Sequence, residues 1–466
     1  MDEKPEHSAP SASVISEAPP TGAASDETQF HPKTTASIWL TLRPYALRIA
    51  VSFYVAIVFG VNDGMFGVIL PRIKAHYAIN DAIVSVLFLC NTAGYLSAAF
   101  VNGLIVHRLG QAGALYLGAS SQLLSYVLLL LAAPFPAMAV FFLFLGFGIA
   151  LQDAGVNVVV AGVPYATTSL NLLHAFYGLG ALFGPIIGSA LLAANLAWNV
   201  AYMILAGLAF ASVISLFLIF RHAHLQNPPP ATPPQSSSCT TANPPTSLLA
   251  RAFRLRVTHI GALFLLTYVG VEVTVGSWIY SFLTEVRHGN PVLMGSFVSL
   301  YWVGLTLGRV VLGYVTGRFG EKLMITIYLF AVAAGLLIIW FVQVIEADAT
   351  VLFFLGAALG PLFPSTISIA SKVVPQELFA SSVGFLTAFG SGGSALFPWL
   401  TGTIAQSFGI WIMMPFCLAL TVAMLVFWAF IPSPPRMNRR RKPEEKLSGP
   451  KGVVVRVEDM GEEGVV

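Results

Sequence analysis

Asp63, Asp153 and Glu272 are the acidic residues that fall inside long apolar stretches of this 466-residue chain, each near the middle of its stretch. An ionised side chain at the centre of a membrane helix costs about 2.5–3.5 kcal/mol on insertion scales, so a carboxylate there calls for a use. The chemistry open to it is the loading and release of a proton, or hydrogen bonding to a polar solute. Asn62-Asp63-Gly64 interrupts a run of Val, Phe and Ile, and glycines at 60, 64 and 67 permit a bend or the close approach of another backbone. Asp153 is followed four residues later by Asn157, which puts acid and amide on one helix face and suits a polyhydroxylated ligand. The plainer reading of both aspartates is a hydrogen-bonded clamp between helices. Glu272, within Tyr268-Val-Gly-Val-Glu-Val-Thr-Val-Gly-Ser-Trp278, either binds solute or pairs with Arg309 of the following stretch.

Fewer observations bear on the remaining polar and aromatic candidates. His174 can join a proton path because histidine titrates near neutrality, although a lone membrane histidine is more often a packing residue. Tyr301, Trp302 and Trp278 offer ring faces to a solute; Trp302 is the better placed, since Trp278 lies near the end of its stretch, where interfacial aromatics are common.

The elements that must hold these groups are membrane helices. The chain is 56% hydrophobic and 10% charged with a mean hydropathy of +0.78, against about a quarter charged residues in soluble domains. Twelve stretches are long enough to cross a hydrocarbon core of about 30 Å as helices. They run near 49–70, 83–105, 114–133, 137–161, 170–194, 199–220, 257–283, 292–316, 323–344, 349–371, 379–405 and 409–431. Residues 1–36, rich in Pro, Ser, Ala and acids, read as a disordered cytosolic tail. A six-helix bundle over 37–220 is followed by a Pro/Ser-rich cytosolic linker over 221–256, with Pro228–Pro245 at its centre. A second six-helix bundle over 257–431 precedes a cytosolic tail over 432–466, whose basic cluster (Arg436, Arg439–Lys442) reads as a stop-transfer flank or a contact with anionic lipid.

With the N-terminus inside, twenty of the 24 lysines and arginines fall on the cytosolic side, which orients both termini there. The net charge of +3 thus follows topology and implies no nucleic-acid partner. Cys90, Cys239 and Cys417 make no disulfide framework. The sequence has no glycosylation sequon, and no cleavable signal peptide is expected ahead of the first stretch near Ile49.

The halves repeat. A shift of 210 sets Gly103-Leu-Ile-Val-His-Arg108-Leu-Gly110 on Gly313-Tyr-Val-Thr-Gly-Arg318-Phe-Gly320, and Phe144-Leu145-Gly146 on Phe354-Leu355-Gly356. The same shift sets Asn62 on Glu272 and Asp153 on Phe363, so proton handling is expected in the first half. Matched halves suit a transporter rocking two bundles about a central site.

Here the chain resembles the major facilitator superfamily over about residues 45–432. The Gly-x-x-x-x-Arg-x-Gly elements look like that family's cytosolic gate, which implies gating roles for Arg108, Gly110, Arg318 and Gly320, with Arg309 in the same span as Arg318. His107 and Gly317 stand where the family has an acid, so the usual charge relay is in doubt. Asn62-Asp63 and Asp153 with Asn157 resemble the L-fucose–proton symporter branch and its fungal relatives, which carry glutamate in the fourth span. That resemblance implies proton coupling at Asp63 and Asp153 and substrate binding by Asn62, Asn157 and Glu272; His174, which stands where the branch has glutamine, and Trp302 join the proton-coupling and substrate-binding candidates on their own chemistry.

The expected protein is therefore an all-α membrane transporter of twelve helices in two pseudo-symmetric bundles. It would work by alternating access as a symporter of a hexose-like or other small polar solute with protons, sodium being the other candidate ion. A monomer in the plasma membrane is expected, with no cofactor: neither a phosphate-binding Gly-x-x-x-x-Gly-Lys-Ser/Thr loop nor a clustered metal-ligand set occurs. Gly180-Ala-Leu-Phe-Gly184-Pro185-Ile-Ile-Gly188 is similar to a motif of proton-coupled drug exporters, so an exporter is the alternative. A transport-dead nutrient receptor ranks lower, and an enzyme lower still, since no nucleophile–base set is present.

Overall fold

Prolines, capping amides and positive-φ glycines punctuate the chain into helices. The computed structural model describes residues 40–221, 251 and 254–432, within which no strand occurs. The chain falls into two units, Met1–Pro44 and Tyr45–Val466, and the helices below belong to the second. The tail at 1–36, nearly all of the 221–256 linker with Cys239, and the basic tail after 432 lie outside the described residues.

In chain order the helices are α1 Ala46–His76, the short α2 Asp81–Val84, α3 Val86–Leu130, α4 Phe135–Ala161, α5 Ala166–Ala193 and α6 Val200–Phe220. The second half continues with α7 Arg256–Glu285, α8 Pro291–Phe319, α9 Glu321–Phe341, α10 Ile345–Leu359, α11 Leu362–Val373, α12 Gln376–Phe408 and α13 Met413–Phe430. Among the described residues ten helical stretches are long and apolar enough to cross a membrane, against the twelve expected. The difference has two sources. The stretches expected at 83–105 and 114–133 are two helical segments of α3 that meet at a kink at Gly110 (φ 73°, ψ 169°) with no loop between them, and so count once. The stretch expected at 379–405 lies in the 33-residue α12, outside those ten; its middle reads Gly390-Ser-Gly-Gly-Ser394. The stretch expected at 349–371 is split between α10 and α11 at Gly360-Pro361.

Local chemistry explains several boundaries. Asn290 accepts hydrogen bonds from the amides of Val292 and Leu293, and Pro291 starts α8 where a missing N–H does no harm. Asn80 caps α2 in the same way through the amide of Ile83. Gly110 (φ 73°) and Gly320 (φ 101°) occupy backbone conformations that side chains resist, and they stand 210 residues apart.

The repeat in sequence is also a repeat in contact. A Cβ at Gly94 of α3 would strike the carbonyl of Leu143 on α4, and one at Gly146 would strike that of Asn91. Adding 210 to every number describes the second half: Gly304 of α8 meets the carbonyl of Phe353 on α10, and Gly356 meets that of Tyr301. Small residues let these backbones touch where the lipid supplies no hydrophobic drive for helix pairing. Gly60 and Gly64 of α1 likewise face Gly180 to Gly184 of α5, so the glycines of the exporter-like motif serve helix packing here.

Gly94→Val and Gly304→Val are expected to cost about 1–3 kcal/mol each through overpacking, read as a lowered melting midpoint of the detergent-solubilised protein. Gly313→Ala, with nothing within 4 Å of its Cβ position, should leave that midpoint unchanged or raised.

Candidate functional site

The cavity forms where the two halves face each other. It has a volume of ≈ 140 Å³. Asn62 and Asp63 from α1, Asn91 and Thr92 from α3, Tyr177 from α5, Glu272 and Ser277 from α7, Trp302 from α8 and Ser394 from α12 supply its polar lining. Phe66, Phe88, Phe142 and Leu145 are among its apolar neighbours. Three pairs of lining residues are related by the shift of 210: Asn62 and Glu272, Asp63 and Val273, Thr92 and Trp302.

Each acid is held differently. The Asp63 carboxylate accepts from Asn62 Nδ2 at 2.9 Å and from the Tyr177 hydroxyl at 2.8 Å. The Asp153 carboxylate accepts from the Tyr95 hydroxyl and from Asn157 Nδ2, both at 2.9 Å. Neither makes an ion pair among the described residues. Glu272 instead meets Arg309 at 2.9 Å and accepts from the Tyr268 hydroxyl, while Tyr301 donates to its backbone carbonyl at 2.9 Å. A carboxylate with neutral donors keeps its hydrogen bonds on taking a proton, whereas one paired with guanidinium gives up an ion pair.

Behind Asp63 runs a chain of buried donors. Gln152 Nε2 donates to Gln122 Oε1 at 2.7 Å, Gln122 Nε2 to the Tyr126 hydroxyl at 3.1 Å, and that hydroxyl to Asn62 Oδ1 at 3.1 Å. Gln152, Gln122 and Tyr126 are fully buried, so each bond stands in for one to water that the interior does not offer. The chain orients Asn62 with its NH₂ toward Asp63.

The candidate residues therefore separate into groups. Asn62, Asp63, Glu272 and Trp302 share the cavity. Asp153 and Asn157 bond to each other beside it, and His174 lies within electrostatic range of both Asp153 and Arg309. Arg309 sits on Glu272, apart from the other expected gate residues. Arg108, beside the kink of α3 at Gly110, and Arg318, at the end of α8 beside Gly320, are both exposed, and neither has an ion-pair partner among the described residues. Tyr95, Tyr177, Tyr126, Gln122 and Asn91 were not anticipated from the sequence. The two amides carried a usable signal, as polar groups within apolar stretches; the tyrosines did not.

The halves are joined at the opposite end. Lys74 at the end of α1 bridges Asp81 at 2.9 Å and Glu285 of α7 at 3.0 Å. On that side Ser299 Oγ donates to the Leu182 carbonyl at 3.0 Å and Ser85 Oγ to that of Trp399 at 3.3 Å.

A helical membrane protein whose repeat-related halves enclose a polar cavity at mid-span is built as a solute transporter. The sequence profile of the Major Facilitator Superfamily matches residues 52–352 and 261–458, and the chain belongs to that family of transporters; it is not an enzyme. It is 27% identical over 431 residues to Bypass of stop codon protein 6 of Saccharomyces cerevisiae, covering 86% of this chain and 85% of that protein. It is 24% identical over 378 residues to a glucose/galactose transporter of Brucella abortus, covering 74% of this chain and 84% of that one. The fold is that of the E. coli fucose:proton symporter FucP, with a TM-score of 0.57 and 17% identity over 84% of this chain and 99% of FucP.

Arg309→Met is expected to lower folded yield, because removing one partner of a buried ion pair costs about 3–5 kcal/mol, less here for the partial exposure of Arg309. Glu272→Gln in the same chain should restore the yield, measured as the monodisperse peak in fluorescence-detected gel filtration.

Proposed function

We propose that this chain is a proton-coupled symporter of a hexose-like or other small polar solute, working by alternating access. The observation that carries the reading is the pair Asp63 and Asp153, two mid-membrane carboxylates held by neutral donors alone, with Asp63 facing a polar cavity between the halves. Such a carboxylate takes up a proton without losing its partners, and Tyr177 and Asn62 then sense its protonation directly. The sugar class rests on relatives named as glucose/galactose transporters and on the likeness to a fucose:proton symporter. One proton moving through 100 mV supplies about 2.3 kcal/mol, enough for a roughly 50-fold accumulation of a neutral solute.

The same reading gives twelve crossings in two six-helix bundles, over 37–220 and 257–431. Helix α3 crosses twice about Gly110, and α12 completes the count. The positive-inside pattern puts Arg108, Arg318 and both termini in the cytosol, with the plasma membrane as the destination and a monomer as the working unit. The Lys74–Glu285 contact is then the closed external side of the cycle, and the open ends at Arg108 and Arg318 are the cytosolic gate. His174, Asn157 and Arg309 support the acids from beside the cavity. The export reading rested on the glycine-proline motif of α5; a packing role for it serves import and export alike.

Reconstituted into liposomes with an imposed pH gradient, the wild type should accumulate a labelled hexose, and Asp63→Asn or Asp153→Asn should abolish accumulation while leaving exchange of solute down its own gradient. Accumulation driven by a sodium gradient alone, or solute movement only outward, would overturn the reading. Lys74→Ala is expected to raise labelling of an external-side cavity cysteine by a membrane-impermeant maleimide several-fold; unchanged labelling would remove Lys74 from the gate.

A further inference from the structure

The buried chain behind Asp63 has a direction. Asn62 Nδ2 donates to Asp63 Oδ1, the Tyr126 hydroxyl to Asn62 Oδ1, Gln122 Nε2 to that hydroxyl and Gln152 Nε2 to Gln122 Oε1, so every link donates toward the acid. An ionised carboxylate only accepts, so the amide beside it must present its NH₂, and each group behind must follow suit. One charge thus sets the sense of the whole chain. The far end resists little: Gln152 Oε1 is buried without a donor, and apart from Gln122 its Nε2 meets the Gly148 carbonyl of its own helix at 3.4 Å.

A proton on Oδ1 opens the opposite direction. The carboxyl then donates to Asn62 Oδ1 once that amide makes a half-turn, while Tyr177 goes on donating to Oδ2. Asn62 Nδ2 can now donate to the Tyr126 oxygen, the Tyr126 hydroxyl to Gln122 Oε1, and Gln122 Nε2 to Gln152 Oε1. The atom left unmet in one direction gains its donor in the other, and the long Gly148 contact is given up. Such half-turns exchange oxygen for nitrogen and leave the carbon frames in place. Close packing fixes those frames: a Cβ at Gly148 of α4 would lie 2.7 Å from the Gln122 backbone nitrogen, and one at Gly118 of α3 would lie 3.0 Å from Gln152 Cγ.

We propose that Asn62, Tyr126, Gln122 and Gln152 form a reversible relay: ionised Asp63 holds the chain in one donor direction, a proton there turns it over, and the change arrives at Gln152, beside Asp153 on α4. The relay rests on the proton-coupling reading above and deepens it, giving the helix of the second acid a way to register the loading of the first. Tyr126, Gln122 and Gln152 are positioning residues, fully buried and acting through Asn62. Other titratable groups about Asp63 are Tyr177 of α5, Tyr95 of α3, Asp153 of α4 and, lining the same cavity, Glu272 of α7. Arg309 of α8 is taken by Glu272, and His174 of α5 lies within electrostatic range of Asp153. No cation among the described residues pairs with Asp63, so hydrogen-bond donors answer its charge directly.

Full-length protein in liposomes, taken from high to low pH, gives an infrared difference spectrum in which Asp63 is the carboxyl band that Asp63→Asn lacks. With glutamine isotopically labelled at its side-chain carbonyl, wild type is expected to show glutamine bands that titrate together with that carboxyl. Asp63→Asn should lose both. Tyr126→Phe, which keeps a ring beside Tyr202 and cuts the chain, should keep the Asp63 band and lose the glutamine bands. The same variant should lower pH-driven hexose accumulation several-fold, with exchange of solute down its own gradient near wild type. Glutamine bands that persist in Asp63→Asn or Tyr126→Phe, or are missing from wild type while Asp63 titrates, overturn the relay and leave proton coupling at Asp63 standing. So does a Tyr126→Phe whose accumulation and exchange fall together. Absence of any titrating Asp63 band overturns both readings. The spectra need no solute, and should Tyr126→Phe not fold, those of wild type and Asp63→Asn still decide.

Discussion

A carboxylate in the hydrocarbon layer must find its hydrogen-bond donors in the protein around it. That constraint organises the centre of this transporter. Asp63 draws in Tyr177 from α5 and Asn62 from its own helix; Asp153 draws in Tyr95 from α3 and Asn157. Asn62 can point its NH₂ at Asp63 because Tyr126 occupies its oxygen, and Tyr126 is set in turn by Gln122 and Gln152. Helices α1, α3, α4 and α5 are thus tied through polar groups, of which Gln122, Gln152 and Tyr126 are fully buried, so that separating the helices would leave their bonds unmade.

The second half solves the same problem with opposite charges. Glu272 lies 210 residues from Asn62, and its charge is met by Arg309 with Tyr268 in support. The backbone contacts that set the helices at that spacing repeat between the halves, glycine for glycine. The scaffold is therefore duplicated while the chemistry on it is not. Val273 stands where the first half has Asp63, and Trp302 where it has Thr92. An acid free of cations on one side and a balanced ion pair on the other make a cavity whose charge changes when one half takes a proton and stays constant at the other.

Close glycine packing and polar ties divide the work of holding the helices together. Gly60 and Gly64 against α5 bring Tyr177 within reach of Asp63, since a larger residue at either position would push the α5 backbone away. At one end Lys74 reaches both Asp81 and Glu285, while Arg108 and Arg318 at the other end are exposed. The glycines after those arginines, at positive φ, turn the chain where the helices end.

Much of this was legible in the residue order. Low charge and long apolar stretches determined an all-helical membrane protein, because lipid satisfies no backbone polar group and leaves helices as the economical crossing for such runs. The shift of 210 exposed the duplication, and the rarity of acids within apolar stretches singled out Asp63, Asp153 and Glu272. The spacing of Asp153 and Asn157 anticipated their bond, since i and i+4 meet on any helix. What the order of residues left open was everything that depends on rotation of one helix against another. Tyrosine is at home in lipid-facing, interfacial and buried positions alike, so nothing local marked Tyr95 and Tyr177 as partners of aspartates 58 and 114 residues away. Whether Glu272 meets Arg309 was equally undecided, because both lie on long helices whose facing sides are chosen by packing. Tertiary structure settled those pairings and gathered Asn62, Asp63, Glu272 and Trp302 around one cavity.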